Sequence, residues 1–149
     1  EIFGAYGGDE DPLVIEERLE VFPEGCVVME LSSDGNTQRV GYITCEKWVR
    51  MREPMLDESP KESHQPSGTI LNITTLAVDP TYQNQGLGTQ AVEWLSQFCL
   101  KQSCEQIVLE TARARRFYEN NGFALLGERN QRDIPLYIMH KRTNGRSLV

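Results

Sequence analysis

Gln83-Asn84-Gln85-Gly86-Leu87-Gly88-Thr89 stands directly after the apolar run Leu76-Ala77-Val78 and directly before an amphipathic helix. Glycines at 86 and 88 carry no Cβ, so the main chain there can approach an anion closely. Consecutive N–H groups at a helix start lack intrahelical partners, and the helix dipole adds partial positive charge to them. The stretch reads as a pyrophosphate cradle. Taken alone, a Gly-rich turn before a helix also serves as an ordinary loop. Context separates the two readings: a strand before it, a helix after it, and a second motif downstream, Phe117-Tyr118-Glu119-Asn120-Asn121-Gly122-Phe123.

The 149 residues suit one domain, 1–149, with a core of its own. Hydrophobic residues at 39% and charged residues at 25% are globular values, and no apolar run is long enough to span a bilayer. A formal net charge of −7 argues against nucleic acid, whose affinity rests on Lys and Arg neutralising phosphates. It weakly suits a cationic amine. The chain opens at Glu1 without a basic, apolar leader, from which a cytoplasmic location is expected. Cys26, Cys45, Cys99 and Cys104 form no C-x-x-C pair and have no histidine at metal spacing, so no metal site is expected. They read as buried thiols in a reducing compartment, although a hairpin closing at Gly35-Asn36 would set Cys26 opposite Cys45.

Asp11-Pro12 pairs a cap with proline at the first helical position and predicts a short helix over 12–20. Residues 25–31 and 38–46, rich in Val, Ile, Tyr and Thr, flank Ser33-Asp34-Gly35-Asn36 and predict an antiparallel hairpin. From Arg50 to Gly68 three prolines and many charges predict a mobile surface loop, with Met55-Leu56 as a possible apolar lid. A strand is expected over 69–78 and a helix over 86–102, whose Leu87, Ala91, Trp94, Leu95, Phe98 and Cys99 recur at helical spacing. Further strands are predicted over 106–110, 123–126 and 134–140, and a helix over 112–120 stopped by Gly122. The tail after Thr143 reads as flexible. The expected fold is an α/β (α+β) domain with a mixed, mostly antiparallel sheet flanked by helices.

These residues resemble the GNAT superfamily of acetyl-coenzyme A-dependent N-acetyltransferases. The resemblance covers roughly residues 21 to 141 and runs through Val78-Asp79-Pro80, Gln83 to Gly88, Ala114, Tyr118 and Gly122-Phe123 in order. Within the superfamily the chain is most similar to the arylalkylamine (serotonin-type) branch and its fungal relatives. Phe22-Pro23-Glu24, Gly41-Tyr42-Ile43, Trp48 and His64-Gln65-Pro66-Ser67-Gly68 carry that likeness. Superfamily members usually begin with a strand, and Glu1 to Gly8 shows too little β pattern to supply it, so that strand is expected to be missing or lost.

Moving an acetyl group from a thioester to an amine requires an oxyanion donor, a deprotonated amine and a proton for the departing thiolate. The resemblance implies that Leu76, Ala77 and Val78 supply a main-chain oxyanion donor, that Gln83, Asn84, Gln85, Gly86, Leu87, Gly88 and Thr89 hold the pyrophosphate of acetyl-CoA, and that Tyr118 protonates the thiolate. Packing beside Phe117 is the bland alternative for Tyr118. Thr111 stands where many members carry an Asn that bonds the pantetheine arm, and Ala114 belongs to the same motif. Two histidines of the vertebrate branch are replaced by Asn72 and Thr74, neither of them a base. These could hold a water, with Glu46, Glu110 or His64 as distant proton acceptors. Arg113, Arg115 and Arg116 read as a solvated basic face, with contact of one of them to the 3′-phosphate as the alternative. Phe22, Pro23 and Trp48 are expected to floor the amine pocket. The expected partner is a small primary amine, an arylalkylamine or polyamine, served by a monomer or homodimer through direct transfer. Protein N-terminal or lysine acetylation, and a non-catalytic acyl-CoA-binding role, remain the alternatives.

Overall fold

The computed structural model describes residues 12–55 and 58–143. Its elements are α1 (Pro12–Val21), β1 (Cys26–Ser33), β2 (Asn36–Trp48), α2 (Pro60–Ser63), β3 (Ile70–Val78), α3 (Leu87–Lys101), β4 (Gln106–Thr111), α4 (Arg115–Asn120), β5 (Ala124–Gln131) and β6 (Ile134–Arg142). The strands make a six-stranded sheet in the order β1-β2-β3-β4-β6-β5, antiparallel at every pairing except β3–β4. The expected mixed, mostly antiparallel architecture is therefore present. The Asp11 cap, residues 1–8, Leu56 and the tail beyond Thr143 lie outside the described residues.

The β3–β4 pairing positions the site. These parallel strands meet only at Ile70–Gln106, Leu71–Ile107 and Asn72–Val108. Beyond Asn72, β3 continues to Val78 paired only with β2, so the two strands part and the β4-facing edge of β3 has no strand partner. On one face of the sheet the main core gathers Ile43, Leu71, Ile73, Leu76, Ile107, Leu109 and Met139 against Ala91, Leu95, Phe98 and Cys99 of α3. Trp48, Ile70 and Val108 form a second, smaller cluster with Ile138.

Several sequence expectations are corrected. The first hairpin turns on Asp34 and Gly35, both at positive φ (51° and 81°), with Ser33 opposite Asn36. A bulge between Met29 and Glu30 then sets Cys26 opposite Thr44, not Cys45. All four cysteines are free thiols, and the Cys26 and Cys45 thiols instead donate to the carbonyls of Phe22 and Gly25. Strand β5 runs on to Gln131 because its turn is made by Arg132 and Asp133 at φ 51° and 65°. Such a turn without glycine gives no sequence signal. Helix α4 begins three residues late because the Thr111 Oγ1 accepts the Ala114 N–H at 2.9 Å and holds a local non-helical turn ahead of it.

The segment expected to be a loose loop is fastened. Ser59 caps α2 within it, and Lys47 and Gln65 pair along the β2 edge that β1 leaves uncovered (Gln65 N–H to the Lys47 carbonyl, 2.7 Å). Residues 49–55 are tied to the sheet by arginines described below. Met55, the described half of the expected lid, is 68% exposed.

Candidate active site

The cradle is assembled from main chain. Asn84 and Gly86 both take positive φ, 67° and 81°, and Gly86 serves as the N-cap of α3 without a side-chain capping bond. The first intrahelical bond runs from the Gln90 N–H to the Gly86 carbonyl at 3.0 Å, so the N–H groups of Leu87, Gly88 and Thr89 precede the helix's own ladder. Gln83 Nε2 donates to the Val78 carbonyl at 3.2 Å and ties the loop to the end of β3. A shallow cleft of about 190 Å³, open to solvent, is lined by Val78, Tyr82, Gln83, Asn84, Leu87 and Gly88. No charged side chain lines it, so attraction for an anion falls to the N–H groups and the helix dipole, the latter worth roughly 0.3–1 kcal/mol.

Strand β3 leads from the opening to this cradle. Leu76 and Val78 are buried on the α3 side, Val78 with Leu87. Gly41 permits the closeness of β2, since a Cβ there would fall 2.3 Å from the Ala77 carbonyl oxygen. The backbone of Ala77-Val78 is thus fixed on one edge and without a strand partner on the other, the condition for a preorganised donor.

Tyr118 is wholly buried, and its hydroxyl has no hydrogen-bond partner. Its ring packs edge-on to Phe117 and Phe123, at 5.0 and 5.2 Å between centroids. The chain reversal at Gly122 (φ 94°), with Phe123 N–H bonded to the Tyr118 carbonyl at 2.9 Å, places Phe123 there. Tyr118 shares its cluster with Leu76 and Leu109, one from each of the parting strands. Burial pushes its phenol well above the ordinary value, so it holds its proton throughout the neutral range. Packing alone does not call for a buried hydroxyl without a partner, which costs roughly 1–3 kcal/mol. The Thr75 Oγ1, in β3, is orphaned in the same way, and nothing in the sequence signals it.

The other predicted site residues divide. Asn72 is buried opposite Glu46, while the Thr74 hydroxyl lies 2.6 Å from that of Thr44. Phe22 stacks on His64 (4.6 Å) in the main core, whereas Trp48 sits in the second cluster, so the structure does not bring Phe22 and Trp48 together. Pro23 opens the 3₁₀ turn Pro23–Gly25.

Each suggested proton acceptor is already engaged. Glu46 is buried and accepts from Arg18 (2.9 Å), Ser63 (2.8 Å) and Trp48 Nε1 (2.6 Å). Glu110 accepts two bonds from Arg129, at 2.6 and 2.8 Å. The Nδ1 of His64 accepts the Lys47 N–H at 3.1 Å, and desolvation lowers the affinity of this ring for a second proton. Of the arginines on or before α4, Arg115 pairs with Glu119 and lies over the Tyr137 ring. Among the described residues no group of His, Cys, Asp or Glu could hold a metal ion.

A mixed sheet that opens beside a helix-start cradle is the architecture of an acyl-CoA-binding transferase. The profile of the acetyltransferase (GNAT) family matches residues 2–123, and the chain belongs to that family. It is an N-acetyltransferase whose acetyl donor is acetyl-CoA. No curated protein sequence matches the chain. Among solved structures it is similar in fold to the loading GNATL domain of CurA from Lyngbya majuscula (TM-score 0.76, 18% identity, 91% of this chain and 85% of that one). It is also similar to a chain of the NatB acetyltransferase complex bound to CoA and MES (0.68, 17%, 91% and 84%). A chain of the NatC complex bound to Gag peptide and CoA gives 0.66 at 20% identity, over 90% and 82%. No helix among the described residues is long and apolar enough to cross a membrane.

The residues present fit acetyl-CoA. The cradle N–H groups face a cleft, the β3 edge is open where an extended arm would run, and Tyr118 offers a buried hydroxyl without a partner. When bound, acetyl-CoA supplies the thioester carbon that an amine attacks.

Proposed function

We propose that the acceptor is a small primary amine, an arylalkylamine or polyamine, acetylated by direct transfer. The observation that carries this reading is a contact beside the β3–β4 opening: after Trp48 the chain meets Arg129 through Glu53 and Pro54, and Arg129 in turn grips Glu110 near the end of β4, a placement that in this reading narrows the acceptor approach. In this reading the Ala77-Val78 main chain stabilises the oxyanion, and Tyr118 returns a proton to the thiolate. Leu87, Gly88 and Thr89 hold the pyrophosphate through N–H groups, with Gln83, Asn84, Gln85 and Gly86 shaping that turn. Thr111 and Ala114 set the start of α4.

With Asn72 and Thr74 in place of bases, and Glu46, Glu110 and His64 engaged, the amine must lose its proton largely to solvent. The rate is then expected to follow the free-amine fraction, so kcat/KM should climb between about pH 7 and pH 9 for an amine of lysine-like pKa. Protein N-terminal acetylation is the second reading, favoured by likeness in fold to the NatB and NatC chains. A thiol-release assay with tryptamine, phenylethylamine, spermine, spermidine and short peptides across that pH range decides between them. Turnover of peptides alone would remove the small-amine reading.

A further inference from the structure

Arg129 uses every nitrogen of its guanidinium. Nε and Nη2 donate to the two oxygens of Glu110, at 2.6 and 2.8 Å, and Nη2 also to Gln131 Oε1 at 2.8 Å. Nη1 donates to Glu53 Oε2 at 3.1 Å, and Nη2 lies 3.4 Å from the Pro54 carbonyl oxygen. Because β6 separates β4 from β5, the Arg129 side chain crosses one strand to reach Glu110. A planar fork gripping a carboxylate at two points fixes its own orientation. The third direction of that fork then meets residues 49–55. Next to Glu53 in the chain, Arg52 lies over the Trp48 indole, 5.4 Å from its centroid, and pairs with Glu58 at 2.6 Å. Three consecutive residues, Arg52, Glu53 and Pro54, therefore hold the segment, one toward Trp48 and Glu58 and two toward Arg129.

The two halves of the Arg129 cluster differ in shelter. Arg129 and Glu110 are each 14% exposed in their side chains, whereas Glu53 is 70% exposed. The first pair is a fixed anchor, and the second is an exposed contact that is easily released.

We propose that Arg129 is a specificity-determining positioning residue: anchored by Glu110, it latches Glu53 and Pro54 over the end of β4 and so keeps residues 49–55 across the acceptor approach, admitting a slender amine in preference to a polypeptide. This rests on the small-amine reading above. Arg129 touches no reacting atom in this proposal. It acts through the segment that it holds.

The test uses Glu53→Ala, which removes only the exposed contact, Glu53→Gln, which keeps an acceptor oxygen, and Arg129→Met, which removes the whole latch. Trypsin cleavage after Arg50 and Arg52 reports release of the segment without any acceptor present. Cleavage should accelerate in Glu53→Ala and further in Arg129→Met, and stay near the wild-type rate in Glu53→Gln. For the amine that turns over, KM should rise in Glu53→Ala by up to roughly fivefold, the worth of one exposed charge pair, with kcat and acetyl-CoA affinity unchanged. Unchanged cleavage in both Glu53→Ala and Arg129→Met overturns the latch. Accelerated cleavage with an unchanged amine KM overturns its role in specificity. Because the cleavage assay needs no acceptor, failure of the latch is told apart from failure of the amine reading, which the acceptor screen reports.

Discussion

On the donor side the groups proposed to act are main chain: N–H groups of Leu87 to Thr89 at the start of α3 and the open edge of β3 around Ala77-Val78. On the acceptor side the shaping contacts are made by side chains brought from distant parts of the sequence. Arg18 meets Glu46 from 28 residues away, and Arg129 meets Glu53 from 76. A main-chain site constrains backbone conformation and little else, so it can survive wide change in side chains. A side-chain site depends on each partner. Breaking a buried ion pair such as Arg18–Glu46 costs about 3–5 kcal/mol, because one charge is left behind unpaired. On the proposed assignment the donor side is the more tolerant of side-chain change, and the acceptor side is where a difference in substrate would be written.

Tyr118 stands between the two sides and gives the largest expected effect. Tyr118→Phe keeps the ring and its packing on Phe117 and Phe123 but loses the proton. The expected outcome is a fall in kcat of roughly 10²-fold or more with coenzyme A affinity little changed. The hydroxyl has no partner to leave unsatisfied, so the ligand-free variant should melt at or above the wild-type temperature. Steady-state kinetics and a melting curve together check this. Equal kcat in the folded variant removes Tyr118 from the chemistry, and a lower melting temperature would show that its hydroxyl has a partner.

A second prediction tests whether the donor site is as purely main chain as it looks. A ligand that binds only the folded protein raises stability by RT ln(1 + [L]/Kd), so acetyl-CoA at a hundredfold excess over Kd should add roughly 2.7 kcal/mol. Gly88→Glu sets a side chain and a negative charge against the phosphate and should abolish that shift, whereas changes at Gln85 or Thr89 that keep the backbone should leave most of it. Calorimetry or a dye-based melt reads the shift. An undiminished shift in Gly88→Glu places the donor elsewhere.

The same contrast explains what the sequence revealed. Gly86, Gly88 and Gly122 announce backbone that other residues adopt reluctantly, and Gly86 and Gly122 do take positive φ, 81° and 94°. The backbone turn before α3, the α4 stop and the succession of strands and helices along the chain were therefore legible. The β5–β6 turn at Arg132-Asp133 uses the same φ region without glycine and was invisible locally. Arg129 was invisible for another reason: it lies beyond the strand expected over 123–126, and its partners lie 19 and 76 residues away. The engagement of Glu46 was hidden likewise, since burial of a carboxylate with Arg18, Ser63 and Trp48 is a property of three-dimensional packing. Trp48 and Phe22 were both legible as apolar and buried, but which core each joins depends on the end of β2 that β1 leaves uncovered.

The smallest effect belongs to the acceptor-side framework and is read in pH. His64 is held neutral in the folded protein: its Nδ1 accepts the Lys47 N–H, its ring lies on Phe22, and desolvation outweighs the opposing attraction of Glu46. Its folded pKa is therefore below the 6.5 of an unfolded chain. The unfolded state takes up the proton first as pH falls, so the contribution of His64 to stability is complete above about pH 6.5 and declines as pH drops toward the folded pKa. His64→Asn offers a side-chain oxygen to the Lys47 N–H but cannot titrate. Melting temperatures measured from pH 7.5 down to pH 5 should fall less steeply in His64→Asn than in the parent, with the two curves keeping a constant offset above pH 7. His140, whose affinity for a proton is also lowered by burial, remains in both proteins and leaves a residual slope. Parallel curves throughout would mean that His64 accepts a proton in place, freeing a cation beside Glu46 and returning this histidine to the search for the group that takes the amine's proton.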